Sequence, residues 1–160
     1  MNRLTFLIVA LFSTLALVAQ SFCTTADDIM RNYRQASKEV CDYRYEADIR
    51  DGKICTLFVF NTKTCKPKMK KEYQYDEQQR ITCKVSSYWK NNDYHPAYRQ
   101  LFEYEKECTT FDYQRWNPNI SNFQPCERYV YDLSAGTVTH YQWDVCRKAF
   151  RLKESFEIQK

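Results

Sequence analysis

Large aromatic residues alternate with polar ones in short bursts along this chain. The burst aromatic, any residue, aromatic, acid occurs four times: Tyr43-Arg44-Tyr45-Glu46, Tyr73-Gln74-Tyr75-Asp76, Phe102-Glu103-Tyr104-Glu105 and Tyr129-Val130-Tyr131-Asp132. A period of two puts both rings on one face of a strand, and Tyr and Phe favour strands. The copies start 30, 29 and 27 residues apart, and 12 to 15 residues after the second ring another large aromatic follows: Phe60, Trp89, Trp116 and Trp143. All three tryptophans of the chain occupy that position. Pro67, Pro96 and Pro125 each precede the next copy. Three markers on one period identify an internal repeat, with units at about 43–67, 73–96, 102–125 and 129–145.

Each unit reads as a β-hairpin. In the first, Asp51-Gly52 is the dipeptide favoured in a two-residue type I′ loop. Glu77-Gln78-Gln79, the Lys106 region and Leu133-Ser134-Ala135-Gly136 supply the later turns, and the motif's closing acid is placed to accept turn N–H groups. Proline lacks an N–H, which assigns the three prolines to loops between hairpins. The prediction is a mainly all-β fold: an antiparallel meander of eight strands near 43–50, 53–60, 70–76, 80–90, 97–105, 108–117, 126–132 and 137–145. Periodicity leaves open whether such a sheet curls into a barrel. Ahead of it Thr25 caps a short helix with Asp27 and Asp28 in its first turn and Ile29, Tyr33, Ala36 and Val40 along one side. The tail after Cys146 is a terminal strand or irregular.

The first 21 residues have a different character. Arg3 precedes an apolar stretch over 4–19, and small residues follow, which is the layout of a secretory signal peptide. Residues 22–160 then form one domain, secreted, periplasmic or held at the cell surface, with no membrane span once the leader is removed. Of 24 Lys and Arg only Arg3 lies in the leader, against 20 Asp and Glu, so the mature charge is small and dispersed and does not point to nucleic acid. The one basic run, Lys66, Lys68, Lys70 and Lys71, reads as a solvated approach to a strand. All eight cysteines follow the leader, which in an exported protein reads as disulfides. Cys126 and Cys146 are the candidate pair, at the start of one strand and the end of its neighbour. No Cys-x-x-Cys spacing is present and only His95 and His140 supply imidazole, so no metal or cofactor is expected.

Tyr73-Gln74-Tyr75-Asp76-Glu77-Gln78-Gln79-Arg80-Ile81-Thr82 is similar to the tyrosine-aspartate repeats of bacterial secreted shells, with Gln79 at the position of their glycine. The stretch 43–144, through its Tyr-x-Tyr-Asp strand and through Trp89-Lys90-Asn91-Asn92, Trp116-Asn117 and Trp143-Asp144, resembles a family of exported Bacteroides proteins, a domain of unknown function (number 3836). The resemblance implies a β-meander and export from a Gram-negative cell. It implies no activity.

Trp89, Trp116 and Trp143 are the candidate binding residues, since rings exposed on a sheet can stack on sugars. Residues on the Trp89 face (Ile81, Cys83, Val85, Ser87) favour burial, and those on the Trp116 face (Cys108, Thr110, Asp112, Gln114) favour exposure. An interleaved aromatic core is preferred over ligand binding on that evidence. For catalysis Glu103, Glu105 and Asp112 offer a conceivable carboxylate pair for glycoside hydrolysis. A solvated strand edge explains them more simply, and no nucleophile motif or glycine-rich phosphate loop accompanies them. The expected function is thus an exported, non-enzymatic binding or structural module, with a glycan or a cell-envelope protein as the partner classes that fit. A small carbohydrate-active hydrolase is the alternative.

Overall fold

A computed structural model of the protein describes residues 24–38 and 42–158. The signal-peptide assignment, Val40, Cys23 and Cys41 fall outside the described residues. The alternation produces nine strands: β1 (Tyr43–Arg50), β2 (Lys53–Asn61), β3 (Pro67–Tyr75), β4 (Ile81–Lys90), β5 (Asp93–Tyr104), β6 (Cys108–Asn117), β7 (Asn122–Asp132), β8 (Thr137–Asp144) and β9 (Ala149–Glu157). They form one open sheet in chain order, every neighbour antiparallel, with β1 and β9 as its edges. The eight expected hairpin strands are all present. The ninth comes from the tail, whose mostly polar residues are exposed on an edge strand.

The turns follow local chemistry. Asp51 (φ 49°) and Gly52 (φ 73°) are both left-handed and join the paired Arg50 and Lys53, as a type I′ loop requires. Asn91 (φ 53°) and Asn92 (φ 62°) do the same between Lys90 and Asp93. Gln79 takes φ 63°, in the left-handed region that glycine enters freely. The Asp76 carboxylate accepts the Arg80 N–H at 2.9 Å, and Asp132 accepts the Ala135 N–H at 2.8 Å. Those two closing acids serve their turns; Glu46 lies inside β1 instead.

The prolines are a correction. None sits in a loop between hairpins: Pro67 opens β3, Pro96 lies within β5 and Pro125 within β7. Each borders a register shift, at Val59/Phe60, Ser86/Ser87 and Tyr113/Gln114 of the partner strand, leaving Lys68, Ala97 and Cys126 as the extra residues. At a bulge the ladder skips a residue, so a missing N–H costs little. A fourth shift lies at His140/Tyr141, with Lys153 extra and no proline. The four shifts recur every 27 residues along the even-numbered strands.

The helix α1 (Ala26–Ala36) begins at Thr25, whose side chain accepts the Asp28 N–H while the Asp28 carboxylate accepts the Thr25 N–H at 3.0 Å. The chain entering it is fastened to the sheet by Ala26 N–H to Gln79 O at 2.9 Å and Ile81 N–H to Thr24 O at 3.0 Å. Met30 of α1 packs with Ile54, Leu57, Tyr73 and Ile81, flanked by Ile29, Tyr33, Tyr45, Ala47, Tyr75 and Phe102. The sheet thus has a helix face, carrying these residues, and an opposite open face.

Candidate functional site

Cross-strand register places the three tryptophans together on the open face. Trp89 faces Tyr94, Trp116 faces Phe123 and Trp143 faces Phe150 across the ends of β4–β5, β6–β7 and β8–β9. Each pair meets edge to face, with ring centroids 4.8, 5.1 and 5.0 Å apart. This geometry aligns a ring's positive edge with its neighbour's negative face. The partner ring also carries a cation from the odd-numbered strand before it: Lys70 over Tyr94 at 5.5 Å, Arg99 over Phe123 at 4.7 Å and Arg128 over Phe150 at 4.4 Å. Arg44 over Phe60 at 4.9 Å adds another cation on the same face.

Polar side chains hold these cations in place. Arg99 donates twice to the Gln114 carbonyl oxygen, at 2.9 and 2.7 Å, and Arg128 forks onto both Asp112 oxygens at 2.6 and 2.7 Å. The fork raises the Arg128 pKa above its ordinary value, hydrogen bonding to Asp112 being the main cause. The polar set beside Trp116, expected to be exposed, is instead covered: Gln114 is buried and the Asp112 side chain is 14 % accessible. Periodicity shows which side of a strand these residues share but not that an arginine on the adjoining strand lies over them. On β4 the expected apolar set loses Ile81, because the shift at Gln74/Tyr75 leaves Thr82 extra and turns Ile81 onto the helix face.

Tyr98 faces Arg115, so Trp116 sits one step beyond it, level with Ala97, whereas Trp89 is level with Tyr94 three residues further along β5. Trp143 stands to Trp116 in the same relation. Successive tryptophans are therefore offset by about 10 Å along the strands and about 9.5 Å across them, roughly 14 Å in all. All three are half-buried and form a diagonal staircase across the open face. At the same end of the sheet a shallow groove of about 300 Å³ is lined by Gln142, Trp143, Asp144, Arg151, Leu152 and Lys153, of which Gln142, Asp144 and Arg151 alternate with Trp143 and Phe150 and so project on the helix face. There Arg151 donates to the Asp144 carboxylate at 2.7 Å, and Lys153 to the Gln142 carbonyl at 3.1 Å.

The three carboxylates considered for catalysis are not placed alike. Glu103 faces Thr110 on the open face, diagonal to Asp112, with Arg128 close to both. Glu105 lies beyond the end of β5, its N–H donating to Cys108 O at 2.8 Å. Both oxygens of Asp112 are engaged by Arg128. Among the described residues Cys126 and Cys146 form no bridge with each other or with Cys55, Cys65, Cys83 or Cys108. Cys126 is the bulged residue of β7, level with Trp143, and Cys146 follows three residues later in the β8–β9 turn.

Among the described residues no helix is long and apolar enough to cross a membrane. A family model described as a family of unknown function (DUF3836) matches residues 6–133. Among solved structures the chain is similar to a protein with unknown function from Bacteroides fragilis NCTC 9343, at 17 % identity and a TM-score of 0.63, covering 72 % of this chain and 91 % of that one. It is also similar to a DUF3836 family protein from Bacteroides vulgatus ATCC 8482, at 19 % identity and a TM-score of 0.50, covering 53 % of this chain and 91 % of that one. At these identities the likeness extends to the fold alone. None of the curated proteins searched matches the chain.

Proposed function

The chain belongs to the DUF3836 family of unknown function, and on that premise we propose that it is an exported, non-enzymatic module whose open face binds an extended glycan along its tryptophans. The observation that carries the reading is the staircase of three half-buried tryptophans on one face, each packed edge to face on a neighbouring ring. Sugar recognition needs an aromatic face for the C–H side of the ring and fixed donors and acceptors for its hydroxyls, and on the open face Arg99 with Gln114 and Arg128 with Asp112 lie beside the rings. Trp116 and Trp89 continue the site, and their spacing of roughly 14 Å suits a chain of several sugars rather than a monosaccharide. Export rests on the leader-like residues 1–21. The recurrence of register shifts every 27 residues supports reading the sheet as copies of one hairpin unit. A hydrolytic role gains no support from Asp112, because a carboxylate locked in an arginine fork is poorly placed to exchange a proton.

The test is a glycan array probed with the purified protein and with Trp143→Ala, followed by calorimetric titration of any hit. Binding at least tenfold weaker in Trp143→Ala is expected. Undiminished binding by the variant overturns the assignment to the tryptophan face, and a blank array for the unaltered protein overturns the glycan reading.

A further inference from the structure

On the helix face, β4 presents Lys84 and Ser86 side by side. Lys84 faces Tyr73 on β3 and Gln100 on β5, while Ser86 faces Lys71 and Tyr98. Ser86 has no exposed surface, and its hydroxyl has no hydrogen-bond partner among the described residues. A hydroxyl left so is costly, by about 1–3 kcal/mol, and calls for a partner. Neither Lys71 nor Lys84 has a carboxylate partner among the described residues, although both are at least half-buried. The stretch of β4 around them, and the parts of β3 and β5 paired with it, place no carboxylate on this face. Two ammonium groups without a counter-charge and an orphaned hydroxyl thus share one small area. Its wall is aromatic: Tyr88 and Tyr98 meet at 6.1 Å, and Tyr98 and Tyr113 at 5.7 Å.

We propose that Lys71, Lys84 and the Ser86 hydroxyl form a binding site for a tetrahedral oxyanion, a sulfate or phosphate group, on the face opposite the tryptophans. The oxyanion supplies what each group lacks: a counter-charge for two lysines and an acceptor for the hydroxyl. Both lysines have four-carbon stems and no competing partner, so their ammonium groups can swing onto an anion above Ser86. The site is independent of the glycan reading, since it involves neither the tryptophans nor the groove.

Sodium sulfate is the probe, because its charge is constant across the pH range used. Thermal unfolding of the protein is followed against sulfate, with sodium chloride at matched ionic strength as control, for the unaltered chain, Lys84→Met, Lys71→Met, Ser86→Ala and Lys66→Met. The midpoint is expected to rise with sulfate beyond the chloride control in the unaltered chain and in Lys66→Met. Apparent affinity should fall at least tenfold in Lys84→Met and Lys71→Met, and less in Ser86→Ala. Titratable and charged groups facing this area are Lys71, Tyr73 and Tyr75 of β3, Tyr88 of β4, His95 and Tyr98 of β5, and Tyr113 and Arg115 of β6, with Tyr33 of α1 nearby. With burial holding Lys84 at about 8, sulfate affinity should also drop about tenfold between pH 7 and pH 9. Equal responses to sulfate and chloride, or an undiminished response in both lysine variants, would overturn the site. To separate a free anion from an anionic group on a larger molecule, a sulfated oligosaccharide and inorganic sulfate are compared. Competition between them at the unaltered site, lost in Lys84→Met, supports the proposal; binding of the oligosaccharide unaffected by either variant counts against it.

Discussion

Replacing Lys84 by methionine should make the protein more stable at neutral pH, and the gain should vanish in alkali. Burial, with Lys71 adding repulsion, holds the Lys84 ammonium at about 8 against its ordinary 10.5. That displacement corresponds to a penalty of about 3 kcal/mol for carrying the charge in the folded state. The penalty is present in full below the folded pKa of about 8, where folded and unfolded chains are both protonated. As pH rises from there towards 10.5, the folded amine loses its proton while the unfolded one keeps it, so stability recovers. Methionine keeps the stem that lies beside Tyr73 and removes the charge. Urea unfolding at pH 7, 9 and 10.5 should find Lys84→Met ahead by about 2–3 kcal/mol at pH 7 and by under about 1 kcal/mol at pH 10.5. Any difference in packing between the two side chains is constant with pH, so the change in the gap is the readout. A gap that stays level across the range, or a methionine variant that is the weaker at pH 7, would refute the reasoning.

Ile54 has no exposed surface and sits where α1 meets the sheet, so Ile54→Ala should cost about 2–5 kcal/mol in chemical unfolding. A loss under about 1 kcal/mol would mean that the helix is not fastened through that cluster. Alkali should act on the buried phenols: Tyr75 and Tyr131 are pushed up to about 12, and Tyr73 and Tyr129 further, chiefly by burial. Stability from these groups is complete below pH 10, where the unfolded phenol is still neutral, and is lost as pH rises through 12. Phenolate absorbance should therefore rise in two stages, the second coinciding with loss of β-sheet circular dichroism. A single stage near pH 10 with the sheet intact would contradict the burial.

Much of the fold was legible from residue pattern. Aromatic alternation located the eight hairpin strands, Asp51-Gly52 specified its turn, and Thr25 with Asp28 located the helix start. What escaped depends on events between strands. The prolines were assigned to loops because a missing N–H is intolerable in a regular ladder, yet a register shift removes the need for that N–H. Asn91-Asn92 falls in the gap between the expected strands 80–90 and 97–105; two asparagines both able to adopt positive φ were the available signal for a second tight turn. In the candidate site the tryptophan period was visible. Lys70, Arg99 and Arg128 over the partner rings were not, since each reaches from the odd-numbered strand before the one that carries the ring. Lys84 and Ser86 gave no signal beyond alternation: only burial distinguishes them from any other Lys and Ser on a strand.

The strict pairing of each strand with the strands next to it in the chain has a consequence for assembly. No long loop must close before a later strand finds its place, so the loop-closure entropy of each step is that of a short turn. The sheet can grow by accretion from either end, each completed ribbon templating the next, with stability summed over nearest-neighbour seams as in a linear array. A chain delivered gradually, one end first, would never need to wait for its far terminus.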